Sequence, residues 1–221
     1  FSQISEMSWM IRVLRYIQKI PHWASELDKG VTALRDTFWI IRHSQVILRL
    51  MMCLRRLYEL NNVIYGQQRS VQGFSFEDVL EFSKVTSIRQ PDSSNPISLI
   101  DYLDSKMPEI CDQLTSSLSC IEMALTTEWD VLASDLTDLK VADRFFFQKC
   151  DGMSHSFCES VRPFFNEWHE RIVKIDSEFT DCRSSWLDLC DYFQQNSEEV
   201  KPNEFLHLWK ELISQLGLAK Q

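Results

Sequence analysis

Glycine is nearly absent. The 221 residues hold five, and none falls between Ser75 and Asp151. Proline is almost as scarce, with six. A many-stranded sheet needs a breaker at each of its turns, so breakers this few and this widely spaced favour long helices instead. No apolar run approaches the roughly 18 residues that a spanning helix needs, which predicts no membrane span. The first residues, FSQISEM, lack the basic-then-apolar pattern of a secretory signal.

Catalytic and metal-binding patterns are missing too. The histidines are His22, His43, His155, His169 and His207, and no two stand four apart as a helical zinc site requires. His155 and Cys158 stand three apart, but a structural zinc needs four ligands, so the pair predicts no metal centre. GxSxG, GxxxxGK[ST] and GxGxxG do not occur. Carboxylate neighbours such as Glu198 and Glu199 lie in polar surroundings without a third group, which reads as surface charge. No enzyme and no cofactor is expected. The seven cysteines are an odd, scattered set without a CxxC pair, and most occupy apolar helical positions. That predicts buried thiols in a reducing cytoplasm, not a disulfide framework.

A basic surplus is lacking as well. The net charge is −9, which argues against nucleic acid, since phosphate binding needs a basic face. Hydrophobic residues make up 44% and charged residues 25%, enough apolar content for a real core and too much for disorder.

What is present is helical periodicity. Met10, Ile11, Leu14, Ile17 and Ile20 form a stripe expected to end at Pro21. After Gly30 a long amphipathic helix is expected from Val31 to about Asn62, with Arg42, Arg49, Arg55 and Arg56 read as a solvated face. Ser75 and Asp78 form a capping-box-like start for a helix over Phe76 to Lys84. Asn95–Pro96 is a second helix start, and Pro108 opens a segment expected to run to about Cys150. Beyond Asp151–Gly152 comes the longest regular signal. Val161, Phe164, Trp168, Ile172, Ile175, Phe179, Cys182, Trp186, Leu189 and Phe193 alternate spacings of three and four. Its bulky aromatics favour packing within an antiparallel hairpin over an intermolecular coiled coil. Pro163 is expected in a first turn or at a kink. A last helix is expected from Pro202 to Leu216, stopped by Gly217. The fold class is all-α: an elongated helical bundle with long antiparallel helices.

The order of these elements resembles one family. IRHS at Ile41–Ser44 resembles a helix motif preceding that family's Gly-Asn turn. LNNVIY at Leu60–Tyr65 resembles the turn itself, and Gly73–Phe74 its continuation. ISLIDYL at Ile97–Leu103 resembles the helix after its basic loop. The most specific match is WLDLCDYFQQNSEEVKPNEFLHLWKEL, Trp186–Leu212: a helix closing on an aromatic pair, an acidic linker and an aromatic helix. Together they resemble the post side of the formin homology 2 domain. The resemblance implies one such helical domain over 1–221, with the lasso, linker and knob expected before Phe1 and so absent. It implies a formin-like regulator of actin filament nucleation and barbed-end elongation, in the cytoplasm and on the actin cytoskeleton. Its partners would be actin and, when the N-terminal part is present, a second copy. Asn62, Tyr65, Gly73 and Phe74 would line the surface that accepts the other subunit's lasso, and Lys84 and Arg89 would contact actin. Actin is itself acidic, so binding it calls for local basic residues against the overall charge. The alternative is a helical scaffold or adaptor that has lost actin assembly and takes a partner helix in an apolar groove.

Overall fold

Apolar side chains recurring every three or four positions do become helices. The structure, a computed structural model, describes residues 2–64, 105–116, 118–151 and 155–218. Among these the regular structure is helical, with no strand: α1 (Ser2–His43), α2 (Gln45–Ile64), α3 (Pro108–Ser116), α4 (Leu118–Leu125), α5 (Trp129–Cys150), α6 (Ser156–Phe193) and α7 (Pro202–Leu218). The expected helix over Phe76 to Lys84, the Asn95–Pro96 start and the ISLIDYL helix lie outside the described residues. The chain divides into two compact units, one from Phe1–Arg35 with Thr127–Ser185, the other from Asp36–Thr126 with Trp186–Gln221.

In the first unit α5 and α6 form the long antiparallel hairpin. Trp129 stacks on Phe179 at 4.8 Å, Lys140 pairs with Asp176, Asp143 with His169, and Phe146 lies flat on Phe165 at 3.9 Å. One partner's number rises as the other falls, which is the antiparallel register. The seam departs from expectation at its start: Phe165 is fully buried, whereas Phe164 is half-buried. The seven-residue spacing Cys158, Phe165, Ile172 explains this, because it holds the seam on one line toward α5. Pro163 falls inside α6, past the first turn. The prolyl ring sits on the exposed side, and α6 continues to Phe193.

Cys150 and Cys158 meet as a disulfide with Cα atoms 5.7 Å apart, closing the turn between α5 and α6. This corrects the expectation of unpaired thiols. The pairing is a product of the hairpin, which brings together two cysteines that carry no motif in the sequence. Among the described residues, Cys53, Cys120, Cys182 and Cys190 stand outside this disulfide. Nδ1 of His155 accepts the Phe157 amide at 3.2 Å and the His155 carbonyl accepts from Glu159, so this histidine caps α6. Trp9 packs edge-on to Phe157 and His155 over the same turn.

α1 runs through both expected breaks. Pro21 removes one helical hydrogen bond, but it is exposed, where water can take the freed carbonyl of Ile17. Gly30 is a site of close approach and not a helix start. A Cβ there would meet Thr127 Cγ2 at 2.8 Å and Leu132 Cδ2 at 2.9 Å. Lacking one, α1 lies tight against the start of α5. Val13, Ile20, Ala24, Leu27, Val31 and Leu34 form its buried stripe.

In the second unit, α7 packs on α3 and α4, and α2 on α3. The core is an aromatic chain in which Phe38 meets Trp186, Trp186 meets Phe205, and Phe193 meets both Phe205 and Trp209, at 5.5–5.7 Å. Thr37, 1% exposed, donates its hydroxyl to the Cys120 carbonyl at 3.3 Å, so its burial leaves no donor idle. The expected helix from Val31 to Asn62 is broken at Ser44, and the segment from Pro108 to Cys150 is three helices. At the second of these breaks Thr126 turns both its amide and its hydroxyl onto the Met123 carbonyl. Short polar side chains compete with the helix for backbone partners, and here they win.

Candidate functional site

A set of titratable side chains lies in the first unit, in an open groove of about 730 Å³ along α5 and α6. Lys140 Nζ is 2.8 Å from Asp176 Oδ2, and His169 Nδ1 is 2.8 Å from Asp143 Oδ2. Asp143 is 8% exposed, and its Oδ1 has no hydrogen-bond partner. An Asp–His pair orients an imidazole, but nucleophilic catalysis needs a nucleophile beside it, and the described residues lining the groove include no serine, threonine, cysteine or tyrosine. Among the described residues no group of three His, Cys, Asp or Glu side chains could hold a metal ion. The arrangement is a polar brace across a hairpin.

The surface expected to function starts from α2 in the second unit. Ser44 caps this helix: its hydroxyl accepts the Ile47 amide at 3.3 Å and its carbonyl accepts Leu48 at 3.1 Å. His43 Nδ1 lies 3.0 Å from the Trp39 carbonyl at the end of α1. Ile47, Leu50 and Leu54 turn one face of α2 into the core. Asn62 then falls in the last turn of α2. Tyr65, Gly73, Phe74, Lys84 and Arg89 lie outside the described residues, so the structure places one of the six expected site residues.

The closing segment is described in full. α6 ends at Phe193, and Gln194 takes a left-handed φ of 54°. The Gln195 amide then reaches back to the Cys190 carbonyl at 2.8 Å, the six-to-one bond of a Schellman ending. Asn196 Oδ1 accepts the Glu198 amide within the linker. Glu204 accepts the Lys201 amide at 3.2 Å, one half of a capping box, and Pro202 opens α7. Phe205 and Trp209 then enter the core against Trp186 and Phe193. Arg42 lies 4.0 Å over the Tyr192 ring, with Nε 3.3 Å from Asp188 Oδ2, ion-pair distance without hydrogen-bond alignment.

A helix closing on Tyr192–Phe193, an acidic linker and an aromatic helix folded back on it are thus one packed structure. The family model for the Formin Homology 2 Domain matches residues 1–216. The chain belongs to the formin homology 2 family. With membership comes the family's general role, actin binding and filament assembly without catalysis. The match covers α1 through most of α7, so it takes in both units. A search of curated proteins finds no match to the chain. Among the described residues no helix of this formin homology 2 chain is long and apolar enough to cross a membrane.

Proposed function

We propose that the chain acts at the growing end of actin filaments, as part of a formin-type regulator of nucleation and barbed-end elongation in the cytoplasmic actin cytoskeleton. The family match over residues 1–216 carries this reading. The work is binding: free energy comes from surfaces that fit filament subunits, and no bond is made or broken. Asn62, Tyr65, Gly73 and Phe74 form the surface that receives a lasso segment from a second subunit, and Lys84 and Arg89 contact actin. A glycine at position 73 supports this, since the missing Cβ lets a second backbone come close.

Seeded elongation of actin from the barbed end, with this chain titrated in, tests the reading. Dose-dependent slowing is the expected result. Unchanged elongation at saturating chain would remove the filament-end role and leave the scaffold alternative.

A further inference from the structure

The outward face of α2 is charged and apolar in a way the fold does not use. Leu48, Met52, Arg55 and Glu59 are spaced by four, three and four, with Arg49 and Arg56 beside them, so all six lie on one side of the helix, opposite Ile47, Leu50 and Leu54. Leu48 is 39% exposed and Met52 55%. The three arginines around them are exposed too. Arg55 is paired with Glu59 at 3.0 Å. Among the described residues, no carboxylate comes within ion-pair distance of Arg49 or Arg56.

This is unusual in a chain with 32 acidic and 23 basic side chains. Acidic partners are in surplus, yet this face keeps a net positive charge. The apolar carbons of Leu48 and Met52 stay in water, and Arg49 and Arg56 keep their charge without a carboxylate partner among the described residues. Both are answered if an acidic surface with apolar relief covers the face. Arginine and methionine are the types enriched at such contacts, the first for bidentate pairing with carboxylates and the second for adaptable packing.

We infer that the outward face of α2 docks on actin, Arg49 and Arg56 pairing with carboxylates of the filament subunit while Leu48 and Met52 seat between them. The inference rests on the actin reading above and adds to it a contact on a regular helix, away from Lys84 and Arg89. Charge complementarity selects actin here: the chain as a whole is acidic and so is its partner, and this basic face lets the two meet without repulsion.

The test is seeded barbed-end elongation with the wild-type chain, Arg49→Glu/Arg56→Glu, and Arg15→Glu/Arg183→Glu as a control with the same change of charge at exposed sites elsewhere. Thermal unfolding should be alike for all three. The expected result is a rise of about tenfold or more in the half-effective concentration for Arg49→Glu/Arg56→Glu and little change for the control. Added salt should narrow the gap. If the Arg49/Arg56 variant slows elongation like the wild type, the face is not the contact and the actin reading stands. If the control weakens as much, bulk charge is responsible and the inference falls. If the wild type itself has no effect, the actin reading fails and this inference with it.

Discussion

The two units solve the same packing problem with different sequence separations. The first centres on a hairpin whose partners are near in sequence, Phe146 on Phe165 and Cys150 beside Cys158, and adds one remote element, α1, through contacts such as Trp9 on Phe157 and Gly30 against Thr127. The second gathers distant pieces, since Phe38, Ile121, Trp186 and Trp209 share one core. Bringing remote segments together costs chain entropy, which buried apolar area must offset. In the second unit the linked rings Phe38, Trp186, Phe193, Phe205 and Trp209 supply much of that area. The first unit can rely more on its hairpin, because that part of its core closes locally.

Trp209→Ala is the strongest way to break this contrast. Trp209 is fully buried in α7, and its removal should cost about 3–5 kcal/mol in denaturant unfolding. Two buried thiols outside the disulfide report where the loss falls: Cys182 in the first unit and Cys190 in the second. Alkylation of Cys190 should accelerate more than that of Cys182. Equal acceleration would mean that the units open as one and that the distinction has no energetic content.

The converse experiment sharpens it. Cys150→Ala/Cys158→Ala removes a link across a short loop, and the chain-entropy relation gives a loss of ~2–3 kcal/mol. The loss should fall on the first unit, so that Cys182 becomes the faster thiol to alkylate. Unchanged stability of the double variant would show that Trp9, Phe157 and the capping His155 close the turn unaided.

The same contrast marks what could be read before folding. The hairpin, the closing segment and the last helix were legible because their signals are local: the aromatic heptad over α6, the acidic linker, and Pro202 at the start of α7. The breaks were not. Pro21 and Gly30 look like helix ends in sequence, but Pro21 sits on a solvent face and Gly30 in a tight crossing against Thr127 and Leu132. Ser44 and Thr126 look unremarkable beside them, yet the Ser44 hydroxyl starts α2 and the Thr126 hydroxyl closes α4. Whether a residue breaks a helix depends on what surrounds it, and that is a tertiary property. The Cys150–Cys158 pair escaped for the same reason. Of the expected functional surface, Asn62 alone falls within the described residues. The basic face of α2 was legible as a charge run, and Arg49, Arg55 and Arg56 are solvated as expected, but the exposure of Leu48 and Met52 among them shows only in the burial pattern.

The smallest effect concerns a proton. Cys190 is 2% exposed near the end of α6, and burial, helped by the negative charge of Asp191, pushes its thiol up to about 11. Only the thiolate reacts with an alkylating agent, so at pH 8 about one Cys190 in a thousand is reactive. Cys53, in the same unit, is also raised by burial but only half-buried, and should react sooner. The stability consequence has a definite sign. A thiol held above its usual value of 9.0 keeps a proton in the folded chain that the unfolded chain has lost. Folding stability should therefore be unaffected at neutral pH and decline as pH climbs from about 9 through about 11. Alkylation of Cys190 followed by mass spectrometry across that range should rise with the thiolate fraction. If Cys190 instead reacts as fast as Cys53 at pH 8, the junction of α6 and α7 opens readily on its own. The non-local unit would then be loosest where its aromatic core is densest, and the contrast between the units would have to be redrawn.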